Sequence, residues 1–130
     1  LEFVARGGGL LFLTGGATGE QMAVADRWLE PCGIRFQSYE GTSGIFSAAD
    51  DHGPAARWRN LEVRDAWPLT VEAPAEGWAP LTPAATAYLG AAGRYGQGRV
   101  AALPLSLLTQ TPRYDDGRGA FVVAVAEWLA

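Results

Sequence analysis

Along the chain, the apolar positions change their period from segment to segment. Leu10-Leu11-Phe12-Leu13 is an unbroken apolar run between Gly7-Gly8-Gly9 and Thr14-Gly15-Gly16. A run of strand length with no alternation predicts a central parallel strand covered on both faces. From Glu20 to about Cys32 the period lengthens. Met22, Ala25, Leu29 and Cys32 recur at helical spacing with Trp28 beside them, and Gly33 marks the stop. Thr18 is placed to cap this helix, with Gln21 as its capping-box partner. Ile34-Arg35-Phe36-Gln37-Ser38-Tyr39 then alternates as a strand does, and Leu1–Arg6 reads as a helix end closed by Gly7. This part of the chain therefore predicts helix end, strand, helix and strand, the pattern of a βαβ unit.

The middle has weaker periodicity. Glu40 to Asn60 is rich in Gly, Ser, Asp and Ala, and its length predicts a short helix or a ligand-facing excursion within it. Leu61-Glu62-Val63 and Leu69-Thr70-Val71 alternate as short strands. Pro68, Pro74, Pro80 and Pro83 exclude a central strand nearby. Ala85–Ala92 and Arg99–Leu105 flank Gly93-Arg94-Tyr95-Gly96-Gln97-Gly98, which predicts a β-hairpin. Thr109–Gly119 is a polar loop. Phe121, Val125 and Trp128, with Val122 and Leu129 alongside, put one helical face on a closing helix over Ala120–Ala130. Asp115 or Asp116 then stands near its N-terminus, where an acid suits the helix dipole.

Composition narrows the class. The chain of 130 residues is the length of one domain, and 48% apolar with 18% charged residues is a globular composition. A net charge of −4 with mixed signs excludes the basic face that nucleic acid requires. One cysteine excludes an internal disulfide. No apolar run reaches membrane length. The opening Leu1-Glu2-Phe3-Val4-Ala5-Arg6 lacks the pattern of a signal peptide, and the expectation is a piece of a longer protein.

Candidate chemistry centres on the turn after the first apolar run. Thr14, Gly15, Gly16, Thr18, Gly19 and Glu20 join a strand to a helix N-terminus, where backbone amides can cradle a phosphate or carboxylate, although Glu20 opposes an anion. In an open α/β sheet the crevice beside such a turn is where ligands bind. Asp115-Asp116, in the loop after the last apolar strand, could face the same crevice, although capping of the closing helix is their commoner use, and Ser106 and Gln110 lie in the same loop with no base to activate the serine. Cys32 ends an apolar helical face and reads as a packing thiol. Asp50-Asp51-His52 lacks further ligands for a metal, and Glu40 is a lone carboxylate without the partner that glycoside hydrolysis needs. Trp58, Trp67 and Trp78 cover the core in the first instance and offer a sugar or partner surface in the second. The residues imply no metal and no cofactor.

Several strings, taken in order, carry a resemblance. Phe3-Val4-Ala5-Arg6-Gly7-Gly8-Gly9-Leu10-Leu11-Phe12-Leu13, Pro31-Cys32-Gly33-Ile34, Tyr95-Gly96-Gln97-Gly98-Arg99-Val100-Ala101-Ala102 and Ala126-Glu127-Trp128-Leu129-Ala130 resemble the class I glutamine amidotransferase-like superfamily. The resemblance is to its non-catalytic branch, found in gliding-motility and transport accessory proteins and in intraflagellar-transport subunits. It implies an α/β, flavodoxin-like three-layer sandwich with a mostly parallel sheet, ended by the hairpin and closing helix, and lacking the N-terminal part of the fold. Catalytic members carry a cysteine in a G-x-C-x-G-x-Q elbow and a later His-x-Glu pair. Here Gly15-Gly16-Ala17-Thr18-Gly19-Glu20-Gln21 has Ala17 in place of the cysteine, and Leu103-Pro104-Leu105 has leucines in place of His and Glu.

The expectation is thus a non-catalytic binding or assembly module of a larger protein, possible in a cell-envelope or transport complex. Its partner would be another protein or the rest of its own chain. The alternatives are a hydrolase, or a sugar-binding accessory domain, acting on a carbohydrate or amide through Thr14–Glu20.

Overall fold

The computed structural model describes residues 2–15, 19–37, 41–48, 53–81, 87–109 and 116–130. In order the elements are α1 (Glu2–Ala5), β1 (Gly9–Thr14), α2 (Gly19–Leu29), β2 (Ile34–Phe36), β3 (Thr42–Phe46), β4 (Leu61–Ala66), β5 (Leu69–Val71), β6 (Glu76–Pro80), β7 (Tyr88–Tyr95), β8 (Gly98–Pro104), α3 (Ser106–Thr109) and α4 (Arg118–Leu129). Short 3₁₀ helices cover Glu30–Cys32 and Gly53–Arg57.

The main sheet runs β1-β8-β7-β5-β2, with β6 also paired to β7, and β3 and β4 form a separate two-stranded sheet. β1 and β8 pair in parallel, while β7–β8, β6–β7, β5–β7 and β2–β5 are antiparallel. The expected mostly parallel, flavodoxin-like sheet is therefore overturned: the chain has a curled, mostly antiparallel sheet. The reason lies in the connections. A parallel neighbour needs a crossover of a dozen or more residues. β7 and β8 are separated only by Gly96-Gln97, and β6 and β7 only by residues 81–87. Such links can only reverse the chain.

The βαβ expectation fails for the same sheet. β2 pairs with β5 at the opposite edge from β1 and runs antiparallel to β1. β1 is likewise an edge strand of the described sheet, not a central one. Its unbroken apolar run reports cover on two faces rather than position in the sheet. Leu11 and Leu13 pack toward the core beneath α4 and Trp58, whereas Leu10 and Phe12 pack toward Val4, Leu29 and Ile34 on the other side.

Several local expectations match the structure. Gly7 closes α1 at φ 110°, its N–H bonding Val4 O at 2.9 Å while that of Gly8 bonds Phe3 O at 3.0 Å, an arrangement of Schellman type. α2 buries Ala25 and Leu29, the following turn buries Cys32, and Gly33 stops it at φ 80°; the side chain of Met22 and the proposed cap Thr18 lie outside the described residues. Trp28 departs from its expected place beside that buried face and is 51% exposed. The predicted hairpin is β7–β8, with a tighter turn than expected because Gly93 stays in the strand, opposite Val100. The closing helix is α4. Its Phe121 and Val125 are wholly buried, and side chains of this class contribute about 1.5–3 kcal/mol each when removed from water. In the middle, the short helix expected between Glu40 and Asn60 is Gly53–Arg57, but β3 was not signalled, and β6 forms despite Pro80 at its end.

The core under α4 is aromatic. Trp58, at 0% exposure, stacks tilted on Phe121 with ring centroids 5.1 Å apart, and Trp78 meets Phe121 edge-on at 6.2 Å. Trp58, Trp67 and Trp78 are all buried, as covering of the core requires, and Trp78 also lines a surface cleft.

Candidate functional site

The one parallel pair among the described residues, β1–β8, ends at a small cleft. Both strands end there: Thr14 lies opposite Pro104, and the Leu105 N–H donates to Thr14 O at 2.8 Å. The chain then enters α3 at Ser106. A cleft of about 140 Å³ opens at this end, lined by Thr14, Gly15, Arg64, Asp65, Leu105, Ser106 and Thr109.

β4 supplies the opposite wall through a bulge. The pairing moves from Gly44↔Val63 to Thr42↔Ala66, so Arg64 and Asp65 together face Ser43. The extra residue turns Asp65 to φ 49°, a left-handed conformation that Asp tolerates better than most residues. The Asp65 N–H donates to Ser43 Oγ at 3.2 Å. Its backbone fits between two glycines: a Cβ on Gly15 would stand 2.5 Å from Asp65 O, and one on Gly41 would stand 2.9 Å from Asp65 Cα.

The hydroxyls around the cleft are engaged by backbone, and the Arg64 guanidinium bonds the Glu62 carboxylate at 3.1 Å. Thr14, 1% exposed, donates from Oγ1 to Leu103 O at 3.3 Å. Ser106 Oγ accepts from the Arg64 N–H at 3.0 Å, and Thr109 Oγ1 donates to Leu105 O at 3.2 Å. Beneath them Arg118 is buried. Its guanidinium pairs with Asp116 at 2.6 Å and donates to Glu62 O at 3.2 Å and Ser106 O at 3.4 Å, tying the start of α4 to β4 and α3. The hydrogen bonds and charge of Arg118 hold the Asp116 carboxyl below the usual carboxylate range, and Asp116 raises the Arg118 guanidinium in turn. Asp116 Oδ1 also accepts the Arg118 N–H at 3.2 Å at the start of α4, where Gly117 is the N-cap residue.

Of the residues singled out in the sequence, the structure brings together Thr14, Gly15 and Ser106. Gly19 and Glu20 begin α2, with Glu20 exposed and away from the described cleft lining. Gly16, Ala17, Thr18, Asp115, Gln110, Glu40, Asp50, Asp51 and His52 lie outside the described residues. Cys32 is 4% exposed; burial pushes its thiol up, and Sγ faces Trp28 O at 3.9 Å. A buried thiol with a raised pKa is a poor nucleophile. Arg64, Asp65 and Arg118 escaped the sequence reading because they reach the site from β4 and α4. The only local sign of them was the apolar alternation of Leu61 and Val63, which marked a strand but not its bulge.

Two wider clefts lie elsewhere. One, about 280 Å³, has Trp78, Trp128, Pro54 and Pro74 as walls and Glu76 and Arg94 at its polar side. The other, about 290 Å³, runs beside β2 and includes Glu30, Arg35 and Glu72. The cleft at the strand ends falls well below the roughly 300–1,000 Å³ usual for a small-molecule site, and the two wider ones lie at its lower bound. No group of three or more His, Cys, Asp or Glu side chains placed to hold a metal stands among the described residues. None of the described helices is long and apolar enough to cross a membrane. Comparison with family models, curated proteins and solved structures finds no match to this chain.

Proposed function

We propose that this chain is a non-catalytic binding or assembly module. The observation that carries the reading is the use of the cleft's polar groups. Of the residues best placed for chemistry at the strand ends, Thr14 donates its hydroxyl to Leu103 O, and Ser106 Oγ accepts the Arg64 N–H. A nucleophilic serine would instead bond to a base that is itself oriented by a third group. No such bond joins Ser106 to a carboxylate among the described residues. The small volume of the cleft supports the same reading.

The test is turnover. The chain should release no ammonia from L-glutamine and no nitrophenol from nitrophenyl glycosides or nitrophenyl acetate beyond the buffer rate. Turnover that Ser106→Ala or Asp65→Asn abolishes would overturn the reading in favour of a hydrolase at this cleft.

A further inference from the structure

We infer that the partner of this module is a second copy of the same chain, joined through β1 in an antiparallel β1–β1′ pair that continues the main sheet across a two-fold axis. The inference rests on the assembly reading above and names its partner.

The first observation is the edge itself. In a parallel ladder, alternate residues aim both their N–H and C=O at one neighbour. The Arg99 N–H bonds Gly8 O and the Leu105 N–H bonds Thr14 O, so the even-numbered residues of this stretch face β8. Gly9, Leu11 and Leu13 therefore turn their backbone groups outward, where no strand pairs with them among the described residues. Edges are usually blunted by a charge, a proline or a bulge. Gly9–Thr14 has no charge and no proline, and its register with β8 is unbroken.

The second observation is self-complementarity. With the axis at Leu11, Leu11 faces Leu11′, Gly9 faces Leu13′ and Leu10 faces Phe12′. Every outward donor then meets an outward acceptor. Leu10, Leu11, Phe12 and Leu13 are all only half-buried in the single chain, and each would gain apolar cover from its opposite number.

The third observation is α4. Between Arg118 and Glu127 it carries no charge, although Val123 is 56% exposed and Ala126 is exposed as well. A helix apolar on its outer face is expected to be covered. Its sides are distinguishable. Leu129 abuts Gly9 of β1, whereas Trp128 meets Trp78 of β6 at 6.3 Å. By helical spacing Ala126 falls on the Leu129 side, while Val123 and Glu127, four residues apart, share the outward crest of the helix. With strands about 4.8 Å apart, two α4 helices seated over β1 and β8 would lie roughly 10 Å from each other, the distance at which helices pack. The strand contact sets no charges against each other, and both contacts are isologous, as a two-fold dimer requires.

Sedimentation velocity and light scattering on the chain over micromolar to several-hundred-micromolar concentrations test this directly. The expected result is twice the chain mass for the natural sequence and the single-chain mass for Val123→Glu/Ala126→Glu. Those sites are exposed, so the circular dichroism spectrum should not change. Leu11→Pro, which removes an outward N–H along with the Leu11 packing against the core, should also abolish the dimer, with the circular dichroism spectrum checking that the fold is kept. Ala126→Cys should cross-link under mild oxidation. A monomer throughout the range overturns the proposal and leaves the edge to a strand of another protein or segment. A dimer that survives both variants places the interface elsewhere and overturns it equally. The assembly reading itself fails by a separate readout, the turnover assay, so the two failures are distinguishable.

Discussion

Ser106 Oγ accepts a hydrogen bond from the backbone N–H of Arg64 at 3.0 Å, across 42 residues of sequence. The bond joins the end of β8 to the bulge of β4, and so joins the main sheet to the small one. It gives the serine a structural duty at the position where an α/β fold commonly keeps its chemistry.

The Arg118–Asp116 pair is expected to stabilise the same junction. Asp116→Asn leaves a buried guanidinium short of its carboxylate and should cost about 3 kcal/mol at pH 7. Because the folded chain holds the Asp116 carboxyl below its unfolded value, the pair's contribution is complete above the unfolded carboxylate range, about pH 4. It is lost as the pH falls through the folded value. Urea denaturation at pH 7 and again near pH 3 should show the gap between natural chain and variant narrowing with acid. A gap that widens contradicts the assignment.

Gly15 and Gly117 allow strain to be separated from crowding. Both have left-handed φ, 98° and 84°, but a Cβ on Gly15 would stand 2.5 Å from Asp65 O whereas one on Gly117 would meet nothing within 4 Å. Gly117→Ala should cost about 1 kcal/mol for the backbone alone. Gly15→Ala should cost about 1–2 kcal/mol more, through the forced shift of Asp65. Equal losses in chemical denaturation would show that Asp65 gives way freely.

Trp58 fills the core between Phe121 and Gly90, where a Cβ on Gly90 would stand 2.6 Å from its ring. Trp58→Ala should cost about 4 kcal/mol through the cavity it leaves. Trp58→Phe should recover most of that, because the indole Nε1 is buried with no hydrogen-bond partner among the described residues. Thermal melts of the two variants would separate volume from polarity; similar melting temperatures would contradict the account.

What could be read in the sequence follows what each signal reports. The helical recurrence of Ala25, Leu29 and Cys32 before Gly33 reports burial of one face, and α2 buries that face. Tyr95-Gly96-Gln97-Gly98 reports a tight reversal, and β7 and β8 meet there. The apolar run Leu10–Leu13 reports two covered faces but not which strands lie beside it, so an edge strand read as a central one. β3 was missed because Ile45 is 65% exposed and the glycine beside it dilutes the alternation. At the cleft, Thr14, Gly15 and Ser106 were legible because strand ends converge in any parallel pair. Arg64, Asp65 and Arg118 were not, since only tertiary structure carries β4 and α4 to that point.

The stability of Ser106→Ala tests the central claim most directly, because the claim is that this hydroxyl holds the fold rather than serves a reaction. Removing it strands the Arg64 N–H, and the account predicts a loss of about 1–2 kcal/mol in urea denaturation, with no turnover in either protein. A variant as stable as the natural chain, paired with loss of a measurable hydrolysis, would contradict it.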